Sequence, residues 1–412
     1  MGNPELIPHL FRTEYRKIVS VLCKRFGIGQ IEIAEDISSD TFLTAAQSWG
    51  LNGLPPNPTA WLYRVAKNKA INHLHREKLF ESKISPALKK EGMDFEEEDI
   101  DLSPRNISDS QLQMMFAICH PSISPESQVG LSLRILCGFG IEEIAGAFLT
   151  NRETIYKRLL RAREKLRDEK IKIELPSPDQ IEKRLETVMT TIYLLFNEGY
   201  YSLSQDTTLR KDLCLEAIRL CYMLVENKNT NRPPVNALLS LMCFHASRFE
   251  AREDKNGEHV LYDEQDTSLW NKDLISRGAY FLHCASSGKE ISTYHLEAAI
   301  AYWSTQKTDA PEKWESVLEL YNRLLQIRYS PIAALNRSFA LSKVEGAAVA
   351  IKEAERLDLV YNPFYFSLLG ELYTGIDNEK ADKNFKNALL LLNSEAGKLV
   401  ILRKIERLGL SR

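Results

Sequence analysis

The sequence predicts an all-α fold: two small helical domains followed by an α-solenoid-like C-terminal half. Helical periodicity dominates the 412 residues, and no long alternating or β-branched run suggests a sheet. The length exceeds what one ordinary core holds, and 44% apolar with 26% charged residues describes a globular chain of two or more domains. Towards the C-terminus the helical pattern repeats itself, as stacked helical hairpins require.

The first unit is expected over residues 1–80, with helices from about Leu10 to Phe26 and from Ile31 to Trp49. A Pro/Gly/Asn loop runs from Gly50 to Pro58, and a third helix follows from Thr59 to Lys78 with Thr59 as its N-cap. Residues 81–108 form an acidic linker, and residues 109–173 a second helical unit. The stretch ELPSPD at 174–179 holds two prolines, which end a helix and place a boundary there. From 180 to 412 helix succeeds helix, with loops at Asn227 to Pro234, Glu253 to Asp266 and Lys307 to Pro311. Within 362–395, Gly370, Tyr373, Ala381, Ala388 and Leu389 fall where a tetratricopeptide hairpin puts its packing residues, with one residue fewer between Gly370 and Ala381 than usual. A weaker copy spans Tyr329 to Leu357, and Trp314 to Ile327 adds a further helix to the stack.

The formal charge of −3 hides a segregation. Residues 1–90 hold 13 Lys/Arg against 8 Asp/Glu, and 150–175 hold 9 against 5. Between them, residues 91–113 hold 8 acids against Arg105 alone. Two basic blocks thus flank one acidic stretch, whose plainest reading is a solvated linker.

The most informative segment is 141–167, IEEIAGAFLTNRETIYKRLLRAREKLR, which reads as a helix-turn-helix. Ile141, Ile144 and Ala145 give the first helix its apolar face, Ala147 to Thr150 make the turn, and Asn151 caps the second helix. Ile155, Leu159, Ala162 and Leu166 form the buried stripe, leaving Arg152, Lys157, Arg158, Arg161, Arg163, Lys165 and Arg167 to the other faces. The helix at 59–78 divides the same way, with Arg64, Lys67, Asn68, Lys69, Asn72, His73, Arg76 and Lys78 outward of Trp61, Leu62, Val65, Ala66, Ala70, Ile71 and Leu74. Such a division suits a phosphate backbone, where each neutralised phosphate releases counterions. Alone, either helix could be a solvated face; the pair in one chain points to nucleic acid.

These motifs resemble the extracytoplasmic-function (ECF) sigma factors of bacterial RNA polymerase. AEDISSDTFLTAAQSW at 34–49 is similar to the polymerase-binding helix of sigma region two, and the resemblance assigns Glu35, Asp36, Asp40, Thr41 and Phe42 to that contact. AWLYRVAKNKAINHLHRE at 60–77 resembles the helix that engages the minus-ten promoter element, with Asn72 where many members carry Asp. The resemblance thereby implies DNA contacts for Arg64, Lys67, Asn68, Lys69, Asn72, His73 and Arg76. Residues 142–167 resemble sigma region four, reader of the minus-thirty-five element, which implies roles for Arg152, Glu153, Thr154, Lys157, Arg158 and Arg161. Residues near the start of that helix would meet base edges and later arginines phosphates. On the same resemblance the acidic linker would thread the polymerase nucleic-acid channel. The C-terminal half looks like the tetratricopeptide-like extension of one ECF subgroup, a candidate surface for a peptide or protein partner. There Asn197 to Tyr200 and Asp263 to Trp270 are more polar than simple core, either lining a groove or serving as caps and inter-helix bonds.

Other classes find less support. No nucleophile elbow, P-loop, H-E-x-x-H or dinucleotide fingerprint occurs, so neither catalysis nor a cofactor is expected. His73 and His75 stand two residues apart on different helix faces, and no metal site is expected. Seven cysteines, an odd number without a C-x-x-C pair, read as small buried apolar residues. No apolar run is long enough to span a bilayer and no secretory signal opens the chain, so a cytoplasmic protein without membrane contact is expected. The competing reading is a dimeric helix-turn-helix regulator whose solenoid senses a ligand or peptide; the match at 34–77, which such a regulator does not need, separates the two.

Overall fold

The computed structural model describes residues 6–84, 100–148, 150–200, 210–252, 260, 262–392 and 395–409. Among the described residues all regular elements are helical, eighteen of them α-helices. The acidic residues between 85 and 99, the core of the expected linker, lie outside the described residues. The chain divides into two compact units, residues 1–192 and 193–412.

The first unit holds α1 (Leu6–Phe26), α2 (Ile31–Asn52), α3 (Pro58–Ile84), α4 (Pro104–Ile118), α5 (Pro125–Leu131), α6 (Ile141–Ala147), α7 (Arg152–Asp168) and the start of α8 (Pro178–Tyr200). Helix α1 packs against α2 and α4, and its Ile18, Leu22 and Cys23 are fully buried. Gly53 ends α2 at φ +78°, a conformation that costs a residue without Cβ little. The start of α3 departs from expectation. Its cap is Asn57, whose Oδ1 accepts the Ala60 N–H at 3.0 Å, and Pro58 opens the helix where a missing N–H loses nothing. Thr59 is the first turn rather than the cap. Ser103 and Ser124 cap α4 and α5 in the same way, each followed by proline.

The prolines at 174–179 do separate α7 from α8, but the compact units divide later, at 192/193. The reason is a set of polar bonds made by the first part of α8. Arg184 donates to the Phe116 carbonyl, and the Thr191 hydroxyl donates to Gln128 Oε1 at 2.9 Å, both buried partners in the first unit.

The second unit runs through α9 (Lys211–Glu226), α10 (Pro233–Ala246), α11 (Lys272–Ala285), α12 (Thr293–Trp303), α13 (Pro311–Ile327), α14 (Pro331–Glu345), α15 (Ala347–Glu355), α16 (Pro363–Tyr373), α17 (Asn378–Leu391) and α18 (Glu395–Arg407). Successive helices pack pairwise, α13 on α14, α14 on α15 and α16 on α17. In the last pair Ala381, Phe385 and Ala388 are buried to 1% exposure or less, and a Cβ on Gly370 would stand 2.5 Å from the Phe385 ring. Gly370→Ala is therefore expected to destabilise this hairpin by about 1–3 kcal/mol through overpacking; denaturant unfolding checks it, and a neutral result would show that the ring yields.

Of the seven cysteines, six are buried and Cys284 is half-buried, all as free thiols. Among the described residues no helix is long and apolar enough to cross a membrane, and no cluster of three or more His, Cys, Asp or Glu could hold a metal ion.

Candidate nucleic-acid interface

Helix α7 is built as its sequence dictates. Asn151 Oδ1 accepts the Thr154 N–H at 2.8 Å, fixing the first turn, while Ile155, Leu159, Ala162 and Leu166 are buried. Helix α6 precedes it, capped by Glu143, whose carboxylate accepts the Gly140 N–H at 2.6 Å. Leu159 packs where Gly130 has no side chain, 3.0 Å from where its Cβ would lie. These contacts leave Arg152, Glu153, Thr154, Lys157 and Arg161 exposed and Arg158 half-buried.

The exposed ions are lightly restrained. Arg152 meets Glu142 at 3.3 Å and Lys157 meets Glu153 at 2.6 Å, all with side chains more than half exposed; pairs of this kind contribute about 0–1 kcal/mol. The Arg158 guanidinium lies 5.7 Å from the Phe148 ring centre. Thr154, Lys157, Arg158, Arg161 and Lys165 line a cleft of about 540 Å³ whose other wall is the start of α5, Ser122 to Ser127. Glu126 sits on that wall with its carboxyl below the usual range, held there by its own backbone N–H, by Ser124 and by the charge of Arg158. Four cations against one acid make the cleft a receptor for anions. The α5 wall was not foreseen, since its serines carry no charge signal in the sequence.

On α3, Arg64, Asn68, Asn72 and Arg76 are exposed, while Lys67, Lys69 and His73 are half-buried. Lys69 pairs with Asp40 of α2, and His73 lies 3.4 Å from Glu77 with its ring edge-on to Phe26. Trp61, half-buried, packs edge-on against Trp49 at 5.3 Å, an internal contact of α2 with α3. The five α2 residues split by face. Asp36 and Asp40 are exposed; Thr41 is fully buried, its hydroxyl donating to the Ile37 carbonyl at 2.7 Å; Phe42 is buried against Phe11 and Tyr15. Thr41 and Phe42 shape the helix from within and offer no surface in this conformation.

Glu35 is nine-tenths buried and makes a polar link between the two halves of the first unit. Its Oε2 accepts from Arg163 Nη2 of α7 at 3.3 Å, and Arg134 Nε lies 2.8 Å from Oε1 without the alignment of a hydrogen bond. Arg163 also meets Glu32 at 3.8 Å. The sequence set Arg163 among the outward cations; the structure turns it inward, with its side chain 16% exposed. Nearby, the methylenes of Arg167 occupy the space a side chain on Gly29 would need. A second cleft of about 450 Å³ opens at this seam and gathers Lys24, Arg25, Arg167, Lys170 and Lys172. Of these, only Arg167 stood on the helical stripe that the periodicity marks.

Comparison with known proteins places these helices. A family model described as sigma-70 region 2 matches residues 10–79, spanning most of α1, all of α2 and most of α3. A family of unknown function (DUF6596) matches residues 184–286. An uncharacterized protein of Rhizobium meliloti (strain 1021) is 30% identical over 388 residues, covering 92% of this chain and 90% of that protein. No solved structure matches. The chain belongs to one family with the rhizobial protein along nearly its whole length, and its residues 10–79 are similar to region 2 of the sigma-70 factors.

Proposed function

We propose that this protein is an ECF-type sigma factor that directs core RNA polymerase to a small set of promoters, with its C-terminal helical unit modulating that activity. The region 2 match followed by a second, Asn-capped cationic helix carries the reading. In this reading residues 1–80 bind core enzyme and the minus-ten element. Asp36 and Asp40 meet the polymerase, Glu35, Thr41 and Phe42 set the helix that presents them, and Arg64, Lys67, Asn68, Lys69, Asn72, His73 and Arg76 face the DNA. Residues 109–173 act as a helix-turn-helix for the minus-thirty-five element, in which Arg152, Glu153 and Thr154 approach base edges while Lys157, Arg158 and Arg161 contact phosphates. The acidic linker 81–108 occupies the polymerase nucleic-acid channel, and the tetratricopeptide-like unit over 180–412 offers a surface for a peptide or protein.

The test is run-off transcription with reconstituted core polymerase on the protein's own upstream DNA and on genomic fragments it retains. A promoter-dependent product that requires this chain is expected. Binding to DNA without any association with core enzyme would instead favour a dimeric regulator.

A further inference from the structure

Among the described residues of the second unit, two half-buried guanidiniums, Arg248 and Arg252, gather around one tyrosine. Arg252 lies with its guanidinium carbon 3.9 Å from the Tyr200 ring centre; Arg248 donates to the Tyr200 hydroxyl at 3.4 Å and stands 5.4 Å from the Tyr262 ring centre. Among the described residues neither has a carboxylate at ion-pair distance. Among the described acids, Glu250 is engaged with Lys211 at 2.8 Å and Asp212 with Arg210 at 2.8 Å. Desolvating a cation without a partner is costly, so a buried charge is ordinarily paired. Two such charges gathered around one tyrosine call for an anion.

Unmet hydrogen-bonding groups collect at the same place. Arg248 Nε and Arg252 Nη1 are buried donors without an acceptor. So is Trp270 Nε1, on a residue 6% exposed whose ring stacks on Tyr262 at 6.3 Å, and Gln265, 4% exposed, keeps a buried Oε1 without a donor. Native proteins satisfy nearly all buried polar atoms, so three orphan donors in one cluster point to a missing acceptor. His245 packs on Tyr200 at 4.6 Å; burial, and then the charges of Arg248 and Arg252, hold its pKa far below the usual range, so it adds no charge near pH 7. Among the described residues, the two arginines carry charge with no carboxylate against it.

We propose that Arg248 and Arg252 form the binding site for a phosphate group, with Tyr200, Tyr262 and Trp270 as its aromatic walls. A phosphate monoester carries close to two negative charges at pH 7 and several acceptor oxygens, matching two cations and three donors. A carboxylate matches half of that charge. The tyrosines fix the guanidinium planes in advance, so little freedom is lost on binding. Two of the three walls, Tyr200 and Trp270, end the two polar sequence stretches, Asn197 to Tyr200 and Asp263 to Trp270. The site stands independently of promoter recognition.

Isothermal calorimetry on the full chain tests this with three probes: inorganic phosphate, phenyl phosphate and benzoate. Both phosphates should bind and benzoate should not; tighter binding of phenyl phosphate assigns the site to an aromatic ester, equal binding to free phosphate. Arg248→Gln should weaken phosphate about ten- to a hundredfold, the loss of a charged hydrogen bond. Arg252→Lys, which keeps charge and stem but not the fork, should weaken it as well, and circular dichroism shows whether each variant is folded. Absence of phosphate binding, equal affinity for benzoate, or unchanged affinity in both folded variants overturns the proposal.

Discussion

Glu35→Ala is expected to lower the stability of the first unit by about 3–5 kcal/mol, because it leaves two buried or half-buried guanidiniums without their carboxylate. Arg134 and Arg163 both converge on Glu35, and the one other carboxylate beside them among the described residues, the exposed Glu32 at 3.8 Å from Arg163, is a poor substitute for a buried partner. Arg163→Ala should cost less, since Glu35 keeps Arg134. The paired change Glu35→Leu with Arg163→Met should recover part of the loss, as apolar replacements of buried ion pairs often do. Hydrogen exchange over residues 6–192 is the suitable measurement, since it reads this unit separately from the other. Unchanged protection in Glu35→Ala would mean that the pair is solvated and structurally idle.

The same contact bears on promoter reading. Elements ten and thirty-five base pairs upstream lie roughly 85 Å apart at about 3.4 Å per pair. A compact unit of this length has a radius of gyration of roughly 16 Å, so its diameter falls well short of that separation. On the proposed function, α3 and α7 cannot reach both elements while Glu35 holds Arg163. The stretch between α3 and α4, residues 85–103, reaches roughly 60 Å when extended at about 3.3 Å per residue, enough to let the two halves part. The imperfect alignment of Arg134 on Glu35 and the unpartnered Arg163 Nε weaken the polar part of this seam, while the packing of α1 on α4 must part as well.

Much of the fold was legible because it rests on local signals. The buried stripe of α7 follows from spacing alone, and Asn151 caps where an asparagine before a periodic run should. The close approach of α16 and α17 at Gly370 was announced by a small residue opposite large ones. The cap of α3 was misplaced by two residues because Thr59 and Asn57 carry the same chemistry, and only the proline between them decides. What spacing cannot give is pairing across distance. Glu35 and Arg163 are 128 residues apart, and nothing in either helix marks the arginine that turns inward. The serine wall opposite α7, and the arginines around Tyr200, are likewise products of tertiary packing.

Arg158→Ala together with Arg161→Ala should weaken promoter binding at every sequence tried and flatten its salt dependence. If each arginine neutralises one phosphate, the slope of log affinity against log salt falls by about 0.9 per residue, or about 1.8 for the pair. Both side chains line the cleft beside α5, where the described cations outnumber the single acid Glu126. Thr154→Ala offers the contrast. Thr154 stands exposed in the first turn of α7, and its loss should relax base preference by about 1–3 kcal/mol at one position while the salt slope stays put. Fluorescence anisotropy of labelled promoter DNA with the polymerase complex, across a series of salt concentrations, separates the two outcomes. A slope untouched by the double arginine change would move the phosphate contacts elsewhere, and the cationic seam of Lys24, Arg25, Lys170 and Lys172 would be next to examine.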